Sequence, residues 1–104
     1  MDYENIKNEI QKFVDDRNWE ESHSPKNLAM ALSVEASELV EIFTWQKEED
    51  YLNKNTNEIK DKTKEELVDI FYYIVRICQK MDIDLEEAFY EKMKKNIIKH
   101  PKPN

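Results

Sequence analysis

Two pairs of acidic side chains stand three residues apart at two places in this sequence. Glu35 and Glu38 form the first pair, and Glu66 and Asp69 form the second. Residues three apart project from the same face of an α-helix, so each pair can direct two carboxylates at one point. Such carboxylates can hold a divalent cation or transfer protons, but an exposed acidic helix face gives the same spacing in a chain with 23 acidic residues.

The positions of these pairs among the apolar residues distinguish them from an ordinary acidic surface. At about 100° per residue, Glu35 and Glu66 each fall inside the apolar arc of their helix, while Glu38 and Asp69 each lie about 60° to one side. A carboxylate on a packing face is strongly unfavourable unless it is compensated. Two such stripes that face each other would bring four carboxylates together.

Repulsion among four carboxylates can be relieved by protonation or by a cation. Arg76 is the only basic residue between Leu67 and Gln79, and it could pair with only some of the acids. All-oxygen ligands favour a hard divalent ion, so the sequence predicts Mg²⁺, with Mn²⁺ as an alternative. Zinc and a ferritin-like di-iron centre are disfavoured, because neither His23 nor His100 lies on these helices at the required spacing. Carboxylate-held Mg²⁺ commonly keeps positions open for substrate phosphates, which indicates hydrolysis of a phosphate ester or anhydride.

The composition restricts the class of partner. The formal net charge of −7 disfavours a nucleic acid polymer and an anionic membrane surface. The chain has no glycine, which argues against phosphate-cradling loops and against most all-β folds. The single cysteine, Cys78, together with an acidic start and the lack of a long apolar run, predicts a cytoplasmic protein.

Four predicted helices must position the carboxylates, so the expected fold is an all-α, four-helix subunit in one domain over residues 1–104. Ser24 before Pro25 is typical of a helix start. Thr63 and Asp84, each three residues ahead of a glutamate, are expected to cap the third and fourth helices. Apolar spacing predicts helices at about 3–18, 25–46, 63–81 and 84–98, with a polar loop at 47–61.

The third predicted helix carries more apolar surface than one short chain can cover. Between Leu67 and Cys78, only Asp69 and Arg76 are neither apolar nor aromatic. A helix that is apolar nearly all round must be enclosed on all sides. One chain offers only three other helices for this purpose, so the sequence predicts a homo-oligomer.

Several segments also resemble one known family. The spacing Glu35-x-x-Glu38, followed after a gap of 27 residues by Glu66-x-x-Asp69, is similar to that of the MazG-like all-α nucleoside triphosphate pyrophosphohydrolases. The resemblance covers about residues 16–101 and is closest to the dCTP pyrophosphatase branch. The segments that carry it are Asp16–Glu20, His23–Leu28, Glu41–Trp45 and Lys95–Pro101.

This resemblance implies Mg²⁺-dependent cleavage of a nucleoside triphosphate, with dCTP or a modified dCTP expected, into the monophosphate and pyrophosphate. It implies a homo-oligomer, with a tetramer favoured over a dimer. It further implies that both acidic pairs bind the metal and that Glu35 or Glu38 positions or deprotonates the attacking water. The residues that it places near the base, sugar or phosphates are Trp19, His23, Trp45, Tyr73, Lys92, Lys95, Asn96 and Lys99.

The two tryptophans lie at opposite ends of the second predicted helix. Trp19 precedes the second helix and Trp45 lies at its far end, about 30 Å away along the axis, so their rings cannot easily share one small pocket. If both contact the same base, either two chains contribute, which we favour, or Trp19 folds back along the helix. Without the resemblance, both rings would be read as ordinary packing residues.

The alternative function is a non-enzymatic helical module that acts in interaction or regulation. In such a module, the inward carboxylates would pair with basic residues of a partner. The lysines near the end of the chain would then serve only the dipole of the last helix. Thermal stabilisation by Mg²⁺ would distinguish the enzyme from the module.

Overall fold

Four helices make up the protein, which a computed structural model describes over residues 1–47 and 56–103. They are α1 (Tyr3–Asp16), α2 (Pro25–Thr44), α3 (Thr56–Met81) and α4 (Leu85–Lys99). No strand occurs in the described ranges, so the predicted all-α class is confirmed. None of these helices is both long and apolar enough to cross a bilayer.

Two of the predicted helix starts are confirmed by their capping bonds. The side chain of Ser24 accepts a hydrogen bond of 3.1 Å from the backbone N–H of Asn27, and Pro25 occupies the first position of α2. The side chain of Asp84 accepts an equivalent bond of 3.1 Å from the N–H of Glu87. Each cap satisfies an N–H group that has no partner within the helix.

The third helix begins earlier than predicted. The loop expected at 47–61 is wrong from residue 56 onward, and its residues 48–55 lie outside the described ranges. Charged residues that suggested a linker instead form pairs along the helix face. Lys62 Nζ lies 3.3 Å from a carboxylate oxygen of Glu58, one turn away. Such pairs stabilise an exposed helical turn by a few tenths of a kcal/mol each.

The capping role predicted for Thr63 is also wrong. Thr63 lies within α3, and its hydroxyl donates a 2.7 Å hydrogen bond to the carbonyl of Ile59, one turn earlier. Because the helix is already established there, Glu66 has no capping role and its carboxylate can face α2.

The main packing contact joins α2 to α3, with α1 in a smaller contact on α3 and α4 set largely apart. Glu35 meets Glu66 midway along both helices, and His23, just ahead of α2, meets Arg76 toward the end of α3. Residue numbers increase along α2 in the direction in which they decrease along α3, so the two helices are antiparallel. This antiparallel pair places the two acidic motifs opposite each other.

The buried apolar core of the described residues is small. It consists of Val14, Leu28, Val75 and Cys78. On α3, the side chain of Val68 remains 64% exposed, although the sequence predicts that this helix is enclosed on all sides. One chain therefore does not supply the enclosure that α3 needs.

Two non-glycine residues end helices in the left-handed conformation. Asn18 has φ 57° and follows α1, and Asp82 has φ 54° at the end of α3. After α1, the N–H of Trp19 donates a 3.1 Å hydrogen bond to the carbonyl of Val14, which is the bond of a Schellman cap. In a chain without glycine, asparagine and aspartate are the residues that tolerate this conformation best. The cap at Asn18 turns Trp19 back toward α1.

Asn18→Val should lower the free energy of unfolding by about 1–2 kcal/mol, because a β-branched residue is strained in the left-handed region. Asn18→Gly should change it by less than about 0.5 kcal/mol. Urea unfolding at one fixed protein concentration measures both. Asn5→Val, at an exposed right-handed position of α1, is the matched control. Equal losses for the two valine variants would contradict the assignment of strain to Asn18.

Candidate active site

Three of the four predicted metal-binding carboxylates converge between α2 and α3. One oxygen each from Glu35, Glu38 and Glu66 lies within 4.8 Å of the others. Glu35 and Glu66 are partly buried, and Glu38 is exposed at the rim. The Oε2 atoms of Glu35 and Glu66 are buried and have no hydrogen-bond partner among the described residues. Buried oxygens in this state are strongly unfavourable unless a proton or a cation compensates them.

The close approach of these carboxylates raises the pKa of Glu35. A proton on its carboxyl can be shared with Glu66, which is the main reason why the pKa of Glu35 rises to about 7. Burial and the neighbouring carboxylates of Glu38 and Asp69 raise this pKa further. Asp69 is exposed and stays outside the 4.8 Å set, but its charge acts on Glu35.

Arg76 does not neutralise this cluster. It lies ten residues beyond Glu66 on α3, and its guanidinium forms a salt bridge with Glu20 in the connector between α1 and α2. The cluster therefore receives no compensation from the one arginine of α3. Its all-oxygen donor set and its unpartnered buried oxygens fit a hard divalent cation.

A cavity of about 480 Å³ adjoins the cluster. Its volume falls within the range of small-molecule sites. Three acidic side chains line it: Glu9, Glu35 and Asp69. Glu35 thus belongs to both the carboxylate cluster and the cavity. The rest of the lining is largely aromatic and apolar: Ile10, Phe13, Trp19, His23, Val68, Tyr72 and Tyr73.

The aromatic side chains of the cavity contact one another in series. The ring centroid of Phe13 lies 5.6 Å from that of Trp19 and 6.0 Å from that of Tyr72, both in edge-to-face geometry. Tyr72 and Tyr73 are 5.0 Å apart, and the His23 ring lies 6.0 Å from Trp19. Edge-to-face pairs stabilise each other beyond simple burial, so these contacts hold a preformed aromatic wall.

The structure brings Trp19, His23 and Tyr73 to this cavity, as the resemblance implies for substrate-binding residues. Trp45 is elsewhere: it caps the far end of α2, is 90% exposed and does not line the cavity. The remaining candidates lie on α4, and none of them lines the cavity within this chain. They are Lys92, Lys95, Asn96 and Lys99.

Sequence reasoning missed two members of the aromatic wall. Phe13 lies on the apolar stripe of α1 and could not be told from a core residue, although it remains 40% exposed beside the cavity. Tyr72 precedes Tyr73 on a helix that is apolar nearly all round, so the sequence gives no direction for its ring. The only indication in the sequence is that Tyr72 is adjacent to the candidate Tyr73.

Comparisons with known proteins identify relatives of this chain. A model of the MazG-like family matches residues 30–104. The chain is 33% identical over 99 residues to dCTP pyrophosphatase 1 of Bos taurus and 31% identical over 99 residues to that of Homo sapiens. Each match covers 94% of this chain but only 59% and 58% of the relative, so the chain spans a little over half the length of these proteins.

A solved structure has a similar fold. The crystal structure of a pyrophosphatase from Archaeoglobus fulgidus matches with a TM-score of 0.85 and 35% sequence identity, and the match covers 98% of this chain and 94% of the other. Since the family model also spans most of the residues and includes all four carboxylates, this chain belongs to the MazG-like family.

Proposed function

We propose that this protein hydrolyses a nucleoside triphosphate to the monophosphate and pyrophosphate with Mg²⁺ as cofactor. One observation carries the proposal: Glu35 is shared between a carboxylate cluster that fits a cation and a cavity lined by aromatic rings. Residues suited to a metal–triphosphate and residues suited to a base therefore meet at one place. The names of the relatives support dCTP, or a modified dCTP, as the substrate.

In the proposed reaction, Glu35, Glu38, Glu66 and Asp69 hold the cation. When bound, Mg²⁺ supplies positive charge that neutralises the phosphates and favours ionisation of water. Glu35 or Glu38 orients a water molecule and accepts its proton. The water oxygen forms a bond to the α-phosphorus while the bond to the bridging oxygen of the β-phosphate breaks, and pyrophosphate leaves with that oxygen. Asp69 lines the cavity wall, and in this proposal its carboxylate also approaches the cation.

The aromatic wall is the proposed base site. Trp19 and Tyr73 offer ring faces or edges to a planar base, and Phe13 lines the same cavity in edge-to-face contact with Trp19. Aromatic stacking contributes about 1–3 kcal/mol per base. Because Tyr73 is partly buried beside Glu35 and Asp69, the burial and these charges raise the pKa of its hydroxyl, which keeps the ring neutral.

The exposed apolar surface supports a homo-oligomer. The accessible surface of the chain is 8721 Å², compared with about 6,200 Å² for a folded monomer of this mass. The radius of gyration is 17.0 Å, compared with about 13 Å for a compact domain of this length. Ile97 and Ile98 on α4 are 67% and 81% exposed. We favour a tetramer over a dimer on the resemblance alone.

An oligomer also gives the distant candidates a role. Trp45 and the residues of α4 lie away from the cavity of their own chain, so a second copy is the proposed route by which they reach a substrate. In that arrangement, Lys92, Lys95, Asn96 and Lys99 would approach the phosphates. The buried, free thiol of Cys78 fits the cytoplasmic location that we propose.

A panel of nucleoside triphosphates with Mg²⁺ tests the reaction, with products resolved by chromatography. We expect dCTP to yield dCMP and pyrophosphate. Release of orthophosphate as the first product would contradict cleavage between the α- and β-phosphates.

Glu38→Gln should lower turnover at least about 100-fold while the oligomer stays folded, because the substitution keeps the shape of the side chain and removes one charge from the metal site. Steady-state kinetics at saturating Mg²⁺, with circular dichroism as a check on folding, measures the effect. Glu41→Gln is the matched control, since Glu41 is an exposed acid one turn further along α2. Near wild-type turnover of Glu38→Gln would refute its role as a ligand.

The stability of the metal-free protein should depend on Glu35. Its folded pKa of about 7 lies above the ordinary value of 4.5, so between these values the folded state binds more protons than the unfolded state. Stability contributed by this group is therefore present at low pH and is lost as pH rises through about 7. Wild type in chelator should lose more thermal stability between about pH 5 and 8 than Glu35→Gln does.

At about pH 8, adding Mg²⁺ should stabilise wild type more than Glu35→Gln, because the cation replaces the missing proton. Differential scanning fluorimetry measures the thermal stability of each variant at about pH 5 and pH 8 in chelator and at about pH 8 with Mg²⁺. Glu41→Gln is again the control. Identical pH profiles for wild type and Glu35→Gln would contradict the raised pKa. Absence of any Mg²⁺ effect in wild type would favour the non-enzymatic interaction module instead.

The isolated chain should not be the stable unit. Sedimentation velocity at micromolar concentration should show a dimer or larger species, since α4 and one face of α3 are uncovered in a single chain. Ile98→Glu places a charge on this apolar surface and should shift the distribution toward smaller species. Lys102→Gln, beyond the end of α4, changes the net charge by the same single unit and is the control for the charge alone. A folded wild-type monomer under these conditions would overturn the proposal.

A further inference from the structure

Arg76 is a charged side chain with no exposed surface, held at the junction of α1, α3 and the connector before α2. Its Nη1 donates to the side-chain oxygens of Gln79, at 2.7 Å, and Gln11, at 3.2 Å. Its Nη2 donates to the carboxylate of Glu20. Its Nε donates to Nδ1 of His23, at 3.2 Å. The guanidinium is thus bonded on every nitrogen, and one of those bonds goes to a residue of the cavity wall.

The charge of Arg76 is balanced locally. Burial alone would raise the pKa of Glu20, but the hydrogen bond and charge of Arg76 outweigh it and lower that pKa. Lys80 lies 3.5 Å from the other oxygen of Glu20 and donates to its backbone carbonyl at 3.1 Å. Because Glu20 is ionised and fixed, Arg76 has one orientation and its Nε–H has one direction. The arrangement therefore constrains His23 more tightly than its place in a connector would suggest.

The bond between Arg76 and His23 determines where the imidazole hydrogen lies. Arginine can only donate, so Nδ1 of His23 must be the acceptor and cannot carry hydrogen. Burial, followed by the charge of Arg76, lowers the pKa of His23 and keeps the ring neutral. A neutral imidazole has one N–H, and here it must be at Nε2. Nε2–H is then the only ring group left for a ligand in the cavity that His23 lines.

We propose that Arg76 is a positioning residue that fixes His23 as a neutral Nε2–H donor toward the base of the bound nucleotide. The inference rests on the proposed function for the identity of the ligand. The base edge that fits must present an acceptor, either a ring nitrogen without hydrogen or a carbonyl oxygen. Cytosine offers both, and uracil and thymine still offer a carbonyl oxygen. Arg76 therefore acts on base binding through His23 without touching the substrate.

The wild-type protein can be tested directly by long-range ¹⁵N–¹H correlation of its histidine rings. His100, which is exposed at the end of α4, is the second histidine, and its replacement by alanine assigns the two spectra. We expect His23 near pH 7 to show an unprotonated Nδ1 and a protonated Nε2. A ring protonated on Nδ1, or one that averages both tautomers as a free imidazole does, would overturn the proposal.

Arg76→Lys tests the consequence for binding. Lysine keeps the charge but has one ammonium in place of the planar fork, and Glu20 is its favoured partner, so the bond to His23 should be lost. Loss of a fixed donor should raise KM for dCTP about 3- to 10-fold and change kcat less than about twofold. In a His23→Phe background, Arg76→Lys should change KM by less than about 1.5-fold, because Arg76 acts through His23.

Lys80→Met is the matched control, since it removes the second cation on Glu20 and leaves the bond between Arg76 and His23 in place. Its KM should stay within about twofold of wild type. Equal increases in KM for Lys80→Met and Arg76→Lys would contradict the proposal and leave Arg76 with a structural role only. Full additivity of the KM effects of Arg76→Lys and His23→Phe would contradict it in the same way. If Arg76→Lys fails to fold, the wild-type spectrum still decides the tautomer. If wild type cleaves no triphosphate, the proposed function fails, and the spectrum tests the fixed ring independently.

Discussion

The packing of α2 against α3 sets carboxylates against one another, and the remainder of the site follows from that contact. Glu35 and Glu66 face each other from antiparallel helices, and each keeps a buried oxygen without a partner among the described residues. Close carboxylates cannot all ionise unless positive charge is supplied. No described side chain bonds these two oxygens, so a proton, a cation or a basic residue of a partner must supply that charge. The same contact holds Glu35 in the wall of the cavity, so compensation of the charge and binding of a ligand concern one side chain.

Glu66 and Arg76 on α3 lie apart and have opposite environments. Glu66 and Arg76 are ten residues from each other, about 15 Å along the axis, which is too far for an ion pair. Arg76 is buried and saturated with hydrogen bonds. Loss of a partner would leave a donor of the buried guanidinium unsatisfied, so this part of α3 favours one arrangement. The buried oxygens of Glu35 and Glu66 lack such partners among the described residues, which leaves them open to an external cation.

Local signals in the sequence predict much of this fold, because helix starts and apolar faces depend on near neighbours. Ser24 and Asp84 cap helices as expected, and the acidic pairs lie on facing stripes. The start of α3 was missed, because a run of charged residues suggests a linker when its ion pairs one turn apart are not considered. The partners of Arg76 were beyond reach, because Gln11 and Glu20 are more than 50 residues away in sequence and meet it only through the packing of α1 on α3.

In a chain without glycine, the aromatic wall of the cavity depends on the backbone conformation of Asn18. Asn18 ends α1 in the left-handed conformation, and the cap that follows directs Trp19 onto Phe13. A short turn then carries Glu20 to Arg76, and the N–H of His23 bonds the carbonyl of Glu20 at 3.3 Å. The connector, which contributes Trp19 and His23 to the cavity wall, is thus held by α1 and by the last turns of α3, while the carboxylates are held by α2 and the middle of α3. Different helical segments therefore position the aromatic wall and the carboxylate cluster, although both border one cavity.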